Sequence, residues 1–113
     1  MKEIAEKYPL AWEDIWHHFL NRFPDSTKQF LLRYGAGYLI ENLKFPEFFG
    51  YLILEYFPKH GIRIRQKYSG MWAIEKYYKN DGRWYPACLL SETPKEAITK
   101  AAEIRERKLQ EGI

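Results

Sequence analysis

"GIRIRQKYSGMWAIEKYYKNDGRWYP", residues 61–86, decides how this chain folds. Ile62 and Ile64 alternate with Arg63, Arg65 and Lys67, a period of two that puts apolar and cationic side chains on opposite faces of a strand. Ser69-Gly70 turns the chain, "MWAIEKYY" (71–78) supplies a second strand, and "NDG" (80–82) leads into a third, "RWYPACLL" (83–90). Two registers suit that hairpin. A three-residue loop with Gly82 left-handed pairs Lys79 with Arg83 and sets Tyr78 opposite Trp84; a two-residue Asp81-Gly82 turn sets Tyr78 opposite Tyr85. Pro86 has no N–H for a ladder, so the third strand is expected at an edge or bulged.

Outside this stretch the period changes. Pro9 suits a first helical position, and Trp12, Ile15, Trp16, Phe19, Leu20 and Phe23 follow as one helical stripe that Phe23-Pro24 ends. Ser26 and Gln29 read as the capping box of a second helix, interrupted or flattened at "YGAGY" (34–38). Pro46 can open a third helix, apolar on most sides and therefore buried, which stops at Pro58 with His60-Gly61 as its left-handed exit. After the strands, Thr93, Pro94 and Glu96 supply N-cap, first-turn proline and capping-box glutamate. Ala97, Ile98, Ala101, Ala102, Ile104 and Leu109 make the apolar side of that last helix, with alanines small enough for a close approach to a sheet. The expectation is an α+β fold in a single domain, 1–113. About three N-terminal helices (1–60) precede a three-stranded antiparallel meander (61–91) and a C-terminal helix (92–111) packed on the sheet.

A chain of 113 residues with 46% hydrophobic and 29% charged side chains can bury a core and is not disordered. Aromatic residues reach 18%, more rings than one small core hides, so some are expected on the surface, where they favour a partner or self-association. Cys88 is the one cysteine, which leaves no intrachain disulfide to form. "MKEIAEKYPLAW" (1–12) lacks a secretory apolar region, and "FFGYLILEYF" (48–57) is too short to span a bilayer. A cytoplasmic protein with no membrane association is the expected setting.

The charge is uneven. Residues 58–91 hold seven lysines and arginines against two acids, while 1–57 hold six against eight and 92–113 balance. The positive excess therefore falls on the meander, where a polyanion would dock. Arg63, Arg65 and Lys67 project from one face roughly 6.6 Å apart, a spacing that follows a phosphate backbone. Lys76, Lys79 and Arg83 extend the patch, and Tyr77, Tyr78 or Tyr85 supply rings for stacking. The plainer alternative is a solvated sheet face, with Trp72, Tyr78 and Trp84 clustered across the strands in the core.

Catalytic signatures are missing. Cys88 lies in an apolar strand, where its thiol would not be activated, and Ser26, Ser69 and Ser91 fall at turns or caps. No phosphate loop, HExxH or paired-carboxylate signature occurs, and solvation accounts for Glu47 and Glu55 two turns apart. His17 and His18 point about 100° apart on a helix and cannot share an ion. His18 instead lies one turn from Asp14 and from Arg22, in a charge ladder, and His60 serves a helix end. No catalytic residue, metal or cofactor is expected.

"KYPLAW" (7–12), "LILEYFPKHGIRI" (52–64), "MWAIEKYY" (71–78) and "TPKEAITKAAEIRE" (93–106), in that order, resemble a group of small proteins carried by phages and prophages of Bacteroidetes-type bacteria. The resemblance implies a mobile-element origin and transfers no activity; residues 24–44 have no counterpart in it. Residues 71–105 alone are similar to the arm-type DNA-binding domains of phage integrases, which lay a three-stranded sheet backed by one helix against DNA. The expected function is a non-enzymatic interaction module that binds a host or phage protein. Nucleic-acid binding through the basic meander is the alternative.

Overall fold

The computed structural model describes residues 2–21, 23–30, 32–33, 50–87 and 90–112. "YGAGY", the opening of the third helix at Pro46, Glu47, Arg22 and Cys88 lie outside them. The helical half is divided more finely than expected. Helix α1, Lys2–Lys7, precedes Pro9 and buries Ile4. Helix α2, Pro9–Leu20, starts on its proline as expected and buries Trp12, Ile15, Trp16, Phe19 and Leu20. Residues 25–30 are helical, and Lys28 N–H donates to the Pro24 carbonyl (2.9 Å), so that helix begins before Ser26, which is not its N-cap. Residues 50–59 are helical, with Leu52–Tyr56 wound as a π-helix in which the Phe57 N–H reaches back five residues to Leu52. Helix α3, Phe57–Lys59, carries the run past Pro58 rather than stopping there. Gly61, at φ +74°, then makes the left-handed exit that a Cβ would strain.

Strands β1 (Ile62–Gln66), β2 (Trp72–Tyr78) and β3 (Arg83–Pro86) form an antiparallel sheet in the order β1-β2-β3. Pro86 therefore sits at the end of an edge strand, where its missing N–H costs no ladder bond. Tyr78 lies opposite Arg83, Tyr77 opposite Trp84 and Lys76 opposite Tyr85. Neither expected register is adopted: the loop is four residues, 79–82, closed by Gly82 N–H to the Tyr78 carbonyl (2.9 Å) with Gly82 at φ +65°. The longer loop shifts β3 by one residue against the three-residue alternative, which exchanges its faces. Trp84 thus falls on the face opposite Trp72, and the expected Trp72–Tyr78–Trp84 cluster does not form.

Helix α4, Pro94–Gln110, follows its caps closely: Thr93 Oγ1 accepts from Glu96 N–H (3.2 Å), while Glu96 reaches back to the Glu92 N–H (3.4 Å). It packs on β1, β2 and α2. Its Ala97, Ile98, Ala101 and Ala102 join Ile15, Leu20, Leu52, Phe57, Ile62, Ile64 and Ile74 in one core.

Glu106, only 5% exposed, would be costly to bury alone. Its two carboxylate oxygens accept the N–H groups of Leu10 (3.2 Å) and Ala11 (2.6 Å) in the first turn of α2. Tyr8, the N-cap of α2, offers no side-chain bond, so α4 provides the cap from 95 residues away. Glu106→Ala should destabilise the fold by about 1–3 kcal/mol, because two N–H groups lose their acceptor. Urea unfolding checks this, with Glu106→Gln, which keeps one acceptor, expected between the two; an alanine variant as stable as the parent would contradict it.

Candidate functional site

Alternation along the strands places Arg63, Arg65, Ala73, Glu75, Tyr77 and Trp84 on the sheet face away from the core. Glu75, 8% exposed, sits between the two arginines. Its Oε1 accepts from Arg63 Nε (2.9 Å) and lies 2.9 Å from Arg63 Nη2 and 3.6 Å from Arg65 Nε. The Arg63 guanidinium also stacks on Trp84, 4.7 Å from the ring centroid, and Tyr77 packs on the same ring (5.3 Å). One carboxylate and one indole thereby engage the two cations on which the sheet-face reading leaned most.

The six cations do not share a face. Lys76 and Arg83 belong to the core-side face beyond the edge of the core, Lys67 follows the end of β1, and Lys79 sits in the hairpin loop. Tyr78 and Tyr85 meet edge to face at 5.3 Å, and the Tyr85 hydroxyl donates to Asp81. Tyr77, Tyr78 and Tyr85 all remain exposed.

A different concavity gathers charge. Between the end of α3, the hairpin and α4 lies a hollow of about 660 Å³, lined by Lys59, Lys79, Arg105, Lys108, Tyr77 and Trp84 together with the turn 58–61. No carboxylate of the described residues lines it. Lys108 is held below its ordinary pKa by partial burial and then by repulsion from Lys76 and Arg105, with Glu111 pulling the other way. Tyr77 and Lys79 were legible in the sequence, whereas Trp84 was expected in a core cluster. Lys59, Arg105 and Lys108 were missed, because only the docking of α4 brings them to the hairpin.

Behind the hollow sits a polar cluster that the sequence did not announce. Asp14 Oδ2 accepts from the Tyr56 hydroxyl (2.6 Å) and from Arg105 Nη2 (3.1 Å). Burial alone would raise the Asp14 pKa, but these two donors outweigh it and hold the carboxyl below its ordinary range. Burial and the bond to Asp14 push the Tyr56 phenol up. His60 Nε2 lies 3.8 Å from the same oxygen, buried and without a hydrogen-bond partner. The His60 ring contacts those of Tyr56 and His18. His18 bonds through Nδ1 to the Asp14 carbonyl (2.9 Å) one turn earlier. Asp14 and His18 were visible as an i, i+4 pair; the arrival of His60, 42 residues beyond His18, was not. Ser91 is also not at a turn or cap as expected: it is buried in an isolated bridge to Trp72.

The chain matches no family model, no curated protein and no solved structure. Among the described residues no helix is long and apolar enough to cross a membrane.

The cluster makes stability depend on pH. His60 is lowered from its ordinary 6.5 to about 4, first by burial and then by the Arg105 charge. Between those values the unfolded chain holds a proton that the folded chain refuses, so stability should fall as pH drops from 6.5 to about 4. Asp14 acts lower down: its contribution is present above its unfolded value near 3.8 and is lost as pH falls below that. Melting temperature against pH, in chelator, should show both limbs. His60→Ala should flatten the upper limb and keep the lower one; an unchanged upper limb would assign it to another group.

Proposed function

We propose that the chain is a small non-catalytic binding module that takes single-stranded nucleic acid at the hairpin end of its sheet. The observation that carries this reading is the hollow between the hairpin and α4: three lysines, two aromatic rings, an arginine already paired with Asp14, and no carboxylate among the described residues lining it. Phosphates are neutralised by lysines in such a groove, and an unstacked base finds a ring to lie on. A base inside a duplex is not free to do so. Lys79 and Tyr77 belong to the meander, whereas Lys59, Arg105 and Lys108 widen the surface beyond it. The resemblance of residues 71–105 to arm-type DNA-binding domains accords with a nucleic-acid partner but not with the duplex-facing outer sheet, where Glu75 engages both arginines.

Fluorescence anisotropy with single-stranded and duplex oligonucleotides of one sequence tests this. The single strand should bind more tightly, and three lysine contacts should give a log–log salt slope of about −2. Lys79→Ala and Lys108→Ala should each flatten that slope by roughly 0.7. Arg63→Ala with Arg65→Ala should change little. Glu75→Gln, which leaves two guanidiniums short of an anion, should raise affinity for any polyanion, duplex included. Absence of salt-dependent binding would remove the proposal.

A protein partner, host or phage, is the second reading, and a specific observation favours it. The helical half exposes Leu10, Phe30, Leu32 and Leu54, the last 77% accessible, and large apolar side chains in water favour a partner or a second copy. Under this reading Leu54→Ser should abolish partner capture, or concentration-dependent self-association, while leaving oligonucleotide binding intact.

A further inference from the structure

We propose that Asp14, His18 and His60 bind one divalent transition-metal ion of the zinc or cobalt class. Two imidazoles and a carboxylate are a donor set that suits such ions and leaves a fourth position for water. The residues come from two elements. Asp14 and His18 share a face of α2 one turn apart, and His60 is itself the C-cap of α3. One ligand atom from each lies within 4.8 Å of the other two.

The surroundings already do what outer partners do in metal sites. Tyr56 and Arg105 both bond to Asp14 Oδ2, which fixes the carboxylate and leaves Oδ1 facing His18 Nδ1 at 3.7 Å. A backbone carbonyl can only accept, so His18 Nδ1 donates to the Asp14 carbonyl and the lone pair of the neutral ring lies on Nε2. The ring either keeps that bond and ligates through Nε2, or releases it and ligates through Nδ1. His60 Nε2 is the second, independent sign: a buried nitrogen with no hydrogen-bond partner, 3.8 Å from Asp14. Metal–ligand bonds of 2.0–2.1 Å need tetrahedral ligand separations of about 3.3 Å. His18 Nδ1 stands 3.7 Å from Oδ1 and His60 Nε2 3.8 Å from Oδ2, so turning the carboxylate and the His18 ring is what brings one ligand atom of each to a common ion. His18 also lines a hollow of about 490 Å³ with Asn21 and Glu55, which gives the ion a path from solvent. The Arg105 guanidinium opposes the ion, so the site should hold its metal exchangeably rather than as a permanent structural centre.

Cobalt(II) titration of the full chain, stripped with chelator, tests the site through the visible absorption bands of the ion. One ion per chain should bind with the intense spectrum of low coordination number, and zinc should displace it. His18→Ala and His60→Ala should each weaken binding by about tenfold or more. His17→Ala should bind as the parent does, since His17 faces the exposed Glu13. No binding up to about millimolar cobalt or zinc, or binding lost with His17 instead, would overturn the proposal. Should circular dichroism show that His60→Ala is unfolded, His18→Ala decides alone: loss supports the site and retention overturns it. The readout is the metal's own spectrum, so its failure leaves the oligonucleotide result standing, and the reverse.

Discussion

Ala97, Ala101 and Ala102 are fully buried, and because only a methyl group separates the α4 backbone from its neighbours there, the helix lies close on β1, β2 and α2. That approach sets what the next turn can reach. Arg105 and Glu106 are consecutive, and both are spent on α2: one bonds the Asp14 carboxylate, the other the first-turn N–H groups. Each is a charge withdrawn from water, tolerable only because its partners stand in place. A larger side chain at Ala101 would push α4 outward, and a half-buried guanidinium and a buried carboxylate would lose their partners together.

The outer sheet face is governed by a similar economy of charge. Glu75 is a single acid among cations, yet its position opposite Arg63 puts it within reach of both arginines. Trp84 then covers the Arg63 guanidinium. What looks in sequence like a run of available positive charge is in space a closed arrangement. Uncompensated charge collects instead where three elements meet without an acid between them, at the hairpin end of α4.

Local signals were legible and tertiary ones were not. The alternation of Ile62 to Lys67, Pro9 as a helix start, and Thr93 with Glu96 as caps each depend on residues within a turn or a strand of one another, and each reads through. The four-residue loop was missed because Gly82 is left-handed in the three-residue alternative as well, so composition does not separate the two. Helix α1 was missed because "KEIAEK" presents a single buried apolar residue, Ile4, and no stripe. The Asp14 cluster draws on residues 14, 18, 56, 60 and 105; in sequence its parts read separately as a surface ladder, a ring on a buried helix and a helix exit, and Arg105 drew no reading. No spacing rule joins them; the docking of α4 against α2 and the end of α3 does.

The cap on α2 has a consequence for the order in which the chain can fold. Its acceptor lies 95 residues beyond Ala11, so a ribosome must deliver α4 before the first long helix is complete at its N-terminus. The nascent N-terminal half emerges with Trp12, Trp16 and Phe19 lacking the helix that later covers their neighbours. Completion of α2 therefore waits on the emergence of α4, and contacts this distant in sequence slow the search. The interval before α4 docks is when those rings are most open to a chaperone or to aggregation.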